Sequence, residues 1–404
     1  MDRDPRSLLP EDRFDGLLVG RAWLPADLTG SIAGPSPVWV REDGVFDLTS
    51  VAATTSELFA SDATWAARGV GSLARVGSYD EVMAATLSAD RDADRPRFLA
   101  PVDLQPIKAC GVTFMVSALE RVIEERAGGD SARAEAVRGQ IRDRIGAEVS
   151  SVVPGSQQAE QVKQVLLQEG LWSQYLEVGI GPYAEVFTKS QAMSAVGAGD
   201  DVGILEISSW NNPEPEVVLI VDPRGEIVGA TLGNDVNLRD IEGRSALLLG
   251  KAKDNNGSAA LGPFVRLFDD TFSLDHVRAA EVSLEIRGED GFELCEVSQM
   301  SRISRDVTDL VRQTVHDSHQ YPDGIALFTG TMFAPTKDRD VEGQGFTHHL
   351  GDLVRISSPK LGALQNRVQH CHTIPKWEFG LTALMHNLAR RDLLGIGLDP
   401  PGAR

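Results

Sequence analysis

Apolar positions recur along this chain with different periods, and each period marks out a region. Val38-Trp39-Val40 and Val45-Phe46 flank Asp43-Gly44, the pattern of a β-hairpin with a tight turn. Ser78 to Leu87 opens with a capping Ser ahead of helix-forming residues. From Ala118 to about Leu176 the spacing becomes helical. Ala118–Ala127 stops at Gly128-Gly129, Ala134, Val137, Ile141 and Ile145 share one stripe, and a third helix after Ser156 carries Val162, Val165, Leu166, Leu171 and Trp172. Val217-Val218-Leu219-Ile220-Val221 is an unbroken apolar, β-branched run, which reads as a strand. Val282, Leu284 and Ile286 alternate as in a half-buried strand. Val307, Leu310, Val311 and Val315 predict one helix over 304–319, Ile325–Phe328 a strand, and Leu381–Leu394 a closing helix that packs on the sheet.

These periods give an α+β chain with a strand-rich C-terminal half. The charged, apolar-poor stretch Asp90–Pro96 reads as a linker. It divides a small N-terminal domain, residues 1–95, from a larger domain, residues 96–404, which contains the helical insert of about residues 118–178. Charge narrows the function classes: a net −20 argues against nucleic acid or an anionic membrane as the main partner. No apolar run is long enough to span a bilayer, and Met1-Asp2-Arg3-Asp4 does not resemble a secretory leader. Cys110, Cys295 and Cys371 form no disulfide framework, so a cytoplasmic protein is expected.

The candidate chemistry gathers at the start of the apolar run. Glu214 and Glu216 are two apart, so in a strand both carboxylates share a face. Asp222-Pro223-Arg224-Gly225 has the residues of a turn, and Ile227–Gly233 reads as the returning strand. Such a hairpin brings Asp235 to the end that carries Glu214 and Glu216. Three carboxylates at one rim repel unless a cation neutralises them, and an all-oxygen set suits Mg²⁺, with Mn²⁺ or Ca²⁺ as alternatives, rather than zinc. His348-His349 and His370-Cys371-His372 lack zinc-finger spacing. The glycines before Lys251 do not make a phosphate-cradling loop.

Glu-x-Glu, an apolar hairpin and then Asn234-Asp235-Val236-Asn237-Leu238-Arg239-Asp240 resemble the metal centre of the fumarylacetoacetate hydrolase superfamily. The resemblance covers roughly residues 107–368 and includes Phe187-Thr188-Lys189, Lys251-Ala252-Lys253 with Gly262-Pro263, and Thr329-Gly330-Thr331. It implies a mixed β-sandwich roll with a helical insert and a small N-terminal domain, forming a homo-oligomer (dimer or tetramer). It further implies metal ligands Glu214, Glu216 and Asp235, a small 2-oxo acid substrate, and Lys189, Thr329, Gly330 and Thr331 as substrate-binding residues. One departure is informative. Hydrolytic members carry Gly-x-Asn-Tyr-x-x-His, whose His activates water; here Gly111-Val112-Thr113-Phe114-Met115-Val116-Ser117 puts Ser117 at that place. With the long insert and Thr331-Met332-Phe333-Ala334-Pro335, this looks most like the dehydratases of 2-keto-3-deoxy pentonates such as xylonate or arabinonate derivatives. The implied roles are Lys253 as base and Glu120 or Ser117 at the leaving hydroxyl. An acylpyruvate hydrolase, an oxaloacetate decarboxylase and a non-catalytic metal-stabilised binding protein are the alternatives.

Overall fold

A computed structural model describes residues 4–138 and 152–395, apart from 68, 70, 72 and 91. Its strands are β1 (Leu18–Leu24), β2 (Gly34–Arg41), β3 (Gly44–Asp47), β4 (Arg75–Gly77), β5 (Arg97–Leu99), β6 (Ile107–Gly111), β7 (Glu185–Ser190), β8 (Asp201–Ile204) and β9 (Asn211–Asn212). They continue as β10 (Pro215–Val221), β11 (Ile227–Asp235), β12 (Asn237–Leu238), β13 (Ala259–Leu267), β14 (Glu281–Arg287), β15 (Glu293–Gln299), β16 (Ile325–Phe328), β17 (Leu353–Ser358) and β18 (Gly362–His370). An eleven-stranded sheet runs β4-β3-β2-β1-β13-β11-β10-β16-β6-β7, with β5 beside β1. A five-stranded sheet runs β15-β14-β17-β18-β8, and β9 pairs with β12.

The unbroken apolar run of β10 follows from its position near the middle of the large sheet, where every residue is buried. Val217, Leu219 and Val221 enter a core shared with Val282, Leu284, Ile286, Val354 and Ile356 of the smaller sheet. Val218 and Ile220 point the other way and pack with Ile107, Ala109, Phe328 and Trp39. The two sheets therefore form a sandwich, while the opposite face of the large sheet has a core of its own. Residues 1–95 are joined to the rest through hydrogen-bonded strands, because β1 pairs antiparallel with β13. Arg266 of β13 is buried at this junction and is ion-paired to Asp12 at 2.8 Å.

The insert has its own apolar cluster, in which Val122, Ile123, Leu166, Tyr175 and Ile180 meet. Its first helix, Met115–Ala127, ends where Gly128 adopts φ 67°, a left-handed cap. Residues 131–138 are helical; Ile141 and Ile145 of the expected second stripe lie outside the described residues. The expected third helix is two helices, Gln157–Gln168 and Gln174–Ile180, separated at Gly170 and capped by Ser156 and Ser173. The helix expected over 304–319 is shorter, Val307–Thr314: Asp306 caps its start, and β-branched Val315 is already extended. The C-terminal helix is Leu381–Arg390. Asn387 on it donates to the Ala33 carbonyl, which docks it at the start of β2.

Candidate metal centre and active site

The site is built on a ribbon of unbroken register. Glu216 lies opposite Gly233 and Pro215 opposite Asn234, the Asp235 N–H donates to the Glu214 carbonyl at 3.0 Å, and Asn212 lies opposite Asn237. The turn is the one the sequence implied: Asp222 Oδ1 accepts from the N–H groups of Arg224 and Glu226, and Gly225 takes φ 84°. Directly opposed residues, and residues two apart, share a face. Glu214, Glu216 and Asp235 thus converge on the face away from the small sheet. Each offers one oxygen, these oxygens lie within 4.8 Å of one another, and all three residues are buried.

Electrostatics test whether this set fits a cation. The Glu216 carboxyl is pushed well above its ordinary pKa by burial and by the charges of Asp235 and Glu214. Glu214 is held below its ordinary range; burial opposes this, and Lys253 and Arg121 overcome it. Crowded buried carboxylates with mutual repulsion are what a hard divalent cation relieves, and the all-oxygen donor set fits one.

Two lysines reach the cluster. Lys253 ends the short helix Leu249–Lys253; its ammonium donates to Glu214 and, at 3.2 Å, to Asp235 Oδ2. Burial would lower its pKa, but Asp235, Glu214 and Glu242 together raise it above the usual lysine value. Lys189, fully enclosed on β7, is ion-paired to Asp235 Oδ1 at 3.1 Å and donates to the Lys253 carbonyl and, at 3.1 Å, to Ser258 Oγ. Burial lowers its pKa, with partial compensation from Asp235.

The Thr-Gly-Thr segment follows β16 and lies against the same ribbon. The Gly330 N–H donates to Glu216 Oε2 at 2.6 Å. The Thr329 hydroxyl donates to the Val217 carbonyl at 2.9 Å. That of Thr331 donates more loosely, to the carbonyls of Pro215 at 3.2 Å and Phe333 at 3.4 Å. The other two expected residues have different partners. Ser117 sits one turn into its helix and donates to the Phe114 carbonyl at 2.8 Å. Glu120 accepts from Arg138 of the insert, at 3.1 and 2.9 Å. Neither is hydrogen-bonded or ion-paired to the three carboxylates.

Several charged groups at the centre were not singled out from sequence. Arg121, one residue after Glu120, is ion-paired to Glu214, to Glu124 at 2.6 Å and to Glu242 at 3.1 Å. Arg239 then joins Glu124, at 3.4 Å, to Asn212 Oδ1, at 2.8 Å. The only local signal was an Arg–Glu pair at i,i+3 on the buried side of an amphipathic helix. Glu185 shares its face of β7 with Phe187 and Lys189, and strand alternation could have found it. Its carboxylate lies over Gly111 of the neighbouring strand, where a Cβ would come within 1.9 Å of Oε2. Burial first, and then the charge of Glu242, push the Glu185 carboxyl up to about 7. An open cleft of about 720 Å³ between Phe114–Val116 and Met332–Ala334 adjoins the insert and is not lined by the three carboxylates.

A two-sheet α+β fold thus carries a buried Glu, Glu, Asp set at a hairpin rim, with the oxygen donors that a hard divalent cation takes. Residues 182–369 match the model of the fumarylacetoacetate hydrolase C-terminal family, and the chain carries a domain of that superfamily. It is 29% identical over 325 residues, 78% of this chain and 92% of the relative, to a Haloferax volcanii protein named "Probable 2-keto-3-deoxyxylonate dehydratase". It is 27% identical over 180 residues, 45% of this chain and 57% of the relative, to 2-dehydro-3-deoxy-D-arabinonate dehydratase of Saccharolobus solfataricus. The fold superposes on a solved 2-keto-3-deoxy-D-arabinonate dehydratase complexed with magnesium and 2,5-dioxopentanoate. That match has a TM-score of 0.60 at 18% identity and covers 88% of this chain and 99% of the other. Among the described residues, no helix is long and apolar enough to cross a membrane.

Proposed function

We propose that this protein is a Mg²⁺-dependent dehydratase of 2-keto-3-deoxy pentonates, with 2,5-dioxopentanoate (2-oxoglutarate semialdehyde) as product. The observation that carries the choice of dehydration over hydrolysis is Ser117. Its hydroxyl is bonded to the Phe114 carbonyl at the place where hydrolytic members carry their water-activating His. The names of the two curated relatives, and the ligands of the solved neighbour, support the same substrate class.

Glu214, Glu216 and Asp235 would hold the ion. When bound, it would supply Lewis-acid polarisation of a 2-oxo acid and would take up the carboxylate charge that now raises Lys253. Lys253, poised between Glu214 and Asp235, takes the proton from C3. Lys189 positions it. The three N–H donors of an ammonium are here taken by Asp235, Ser258 and the Lys253 carbonyl, which ties down the loop that presents Lys253.

Glu185 supplies the proton to the departing C4 hydroxyl, since a carboxyl with a pKa near 7 can donate at neutral pH. The C3 hydrogen and the C4 hydroxyl leave as water, and a C3–C4 double bond forms. Transfer of one C5 proton to C3, followed by tautomerisation of the resulting enol, gives the aldehyde. Thr331, the more loosely bonded threonine of its loop, receives the substrate carboxylate, while the Gly330 N–H fixes Glu216.

Incubation with Mg²⁺ and a panel of 2-keto-3-deoxy acids, followed by NMR of the products, tests the reading. A pentonate should yield 2,5-dioxopentanoate, and a chelator should stop the reaction. Cleavage of acylpyruvates without dehydration of any pentonate would overturn it.

A further inference from the structure

We infer that Asn237 is a specificity-determining residue that binds the terminal hydroxyl of the sugar acid, an assignment that rests on the proposed substrate class. Asn237 stands opposite Asn212 in the pair two steps beyond Glu214 and Asp235, with no slip between the two ladders. Its side chain therefore shares the carboxylate face, about 6.8 Å further along the strand. Asn237 is fully buried, and neither its Oδ1 nor its Nδ2 has a hydrogen-bond partner among the described residues. Asn212, directly across, has both amide atoms engaged, by Arg239 and by the Pro213 carbonyl.

A buried primary amide with no partner has lost its hydration without recompense, so a group that satisfies it is expected. An amide offers an acceptor and a donor side by side, and a hydroxyl is both donor and acceptor. The reach also fits. From a keto carbon held at the carboxylate pair, the terminal oxygen lies three C–C bonds of about 1.5 Å and one C–O bond away, which leaves a hydrogen bond to span the rest. Charged or apolar ligand ends fit less well, because the amide cannot neutralise a charge and an apolar group would leave it unsatisfied.

The test separates recognition from catalysis by using two 2-oxo acids without a C4 hydroxyl, so that neither can dehydrate. Binding of 5-hydroxy-2-oxopentanoate and 2-oxopentanoate is measured by calorimetry with Mg²⁺ present, for wild type, Asn237→Leu and Asn237→Ser. Wild type should prefer the hydroxylated acid by at least tenfold. Both variants should bind the two acids within about threefold of each other, a loss the size of one buried hydrogen bond. Asn237→Ser keeps the comparison decisive should Asn237→Leu not fold, because its shorter side chain cannot span the gap. An unchanged preference in a folded variant, or no preference in wild type, would overturn the inference and leave the amide holding only an ordered water. Hydroxyl preference in wild type without pentonate dehydration would defeat the proposed reaction and leave the Asn237 assignment standing.

Discussion

Lys189 and Lys253 divide the Asp235 carboxylate between them, one ammonium on each oxygen, at 3.1 and 3.2 Å. Lys189 also donates to the main-chain carbonyl of Lys253, so the two side chains are not interchangeable. One lysine faces two of the three carboxylates, and the other holds the first in place.

That asymmetry gives opposite kinetic outcomes. Lys253→Met should stop exchange of the C3 hydrogens of the substrate with deuterated solvent, read by NMR in D₂O with Mg²⁺ saturating. Lys189→Met should retain measurable exchange at a reduced rate, because it loosens the presenting loop without removing the base. Breaking a buried ion pair costs about 3–5 kcal/mol, so thermal melting should accompany both assays. Rapid exchange in Lys253→Met would move the base to another group.

Glu185→Gln separates proton abstraction from hydroxyl departure. It should keep C3 exchange while lowering kcat about 10²–10⁴-fold, the usual contribution of a positioned acid. With the folded pKa raised to about 7, the protonated form prevails below that pH, and the alkaline fall of the wild-type rate should begin there. The sign for stability is the same: this contribution is present below the unfolded pKa, near 4.5, and is lost as pH rises through about 7. The Gln variant should lack that loss. An unaltered pH–rate profile in Glu185→Gln would remove it from the reaction.

For the metal centre the expected result is linkage. At about 100 times its Kd, Mg²⁺ should stabilise the wild type by about 2.7 kcal/mol. Glu214→Gln, Glu216→Gln and Asp235→Asn should show little or no such response in melting curves or calorimetry. Glu216→Gln should leave metal-free stability near that of wild type, since the Glu216 carboxyl already favours its neutral form. Full Mg²⁺ stabilisation in all three variants would place the ion elsewhere.

Asp352 makes a prediction away from the site. It is buried, accepts from both guanidinium nitrogens of Arg339 at 2.6 and 2.7 Å, and pairs with His348 Nδ1 at 3.1 Å. Burial opposes ionisation, but Arg339 and His348 pull its pKa down to about 2. A depressed carboxylate stabilises above its unfolded pKa, near 4, and that contribution disappears as pH falls through about 2. Asp352→Asn should cost about 3–5 kcal/mol at neutral pH, as expected for one member of a buried pair. The gap between variant and wild type should close on acidification. A constant gap from pH 7 to 2, measured by denaturant melts, would contradict this.

The meeting of Glu214, Glu216 and Asp235 was legible because its information is local. Two Glu at i,i+2, a turn with Pro and Gly, and an Asp at the return are contiguous text, and alternation fixes their faces. Lys189 and Lys253 were legible only through resemblance, and their division of labour depends on a carbonyl that no pattern displays. Arg121, Glu124 and Glu242 were not found because their meeting depends on how the insert docks on the ribbon. Glu120, next in the chain to Arg121, drew attention instead, but a step of one on a helix turns a side chain about 100°, here towards Arg138. The pairing of β1 with β13 was hidden for a similar reason, since sequence shows that a strand has an apolar face but not which distant strand lies beside it.

The unslipped ribbon from Asn212–Asn237 to Glu216–Gly233 makes the site intolerant of changes in chain length. Every side chain on it is assigned to its face by parity, so deletion of one residue from either strand would turn part of the ribbon over. The residues so displaced would exchange places with those packed against the small sheet, and carboxylates would enter a hydrocarbon core. Substitution can therefore retune this centre one position at a time, whereas insertions and deletions are confined to the turn at 222–226 and to segments off the ribbon, such as the helical insert.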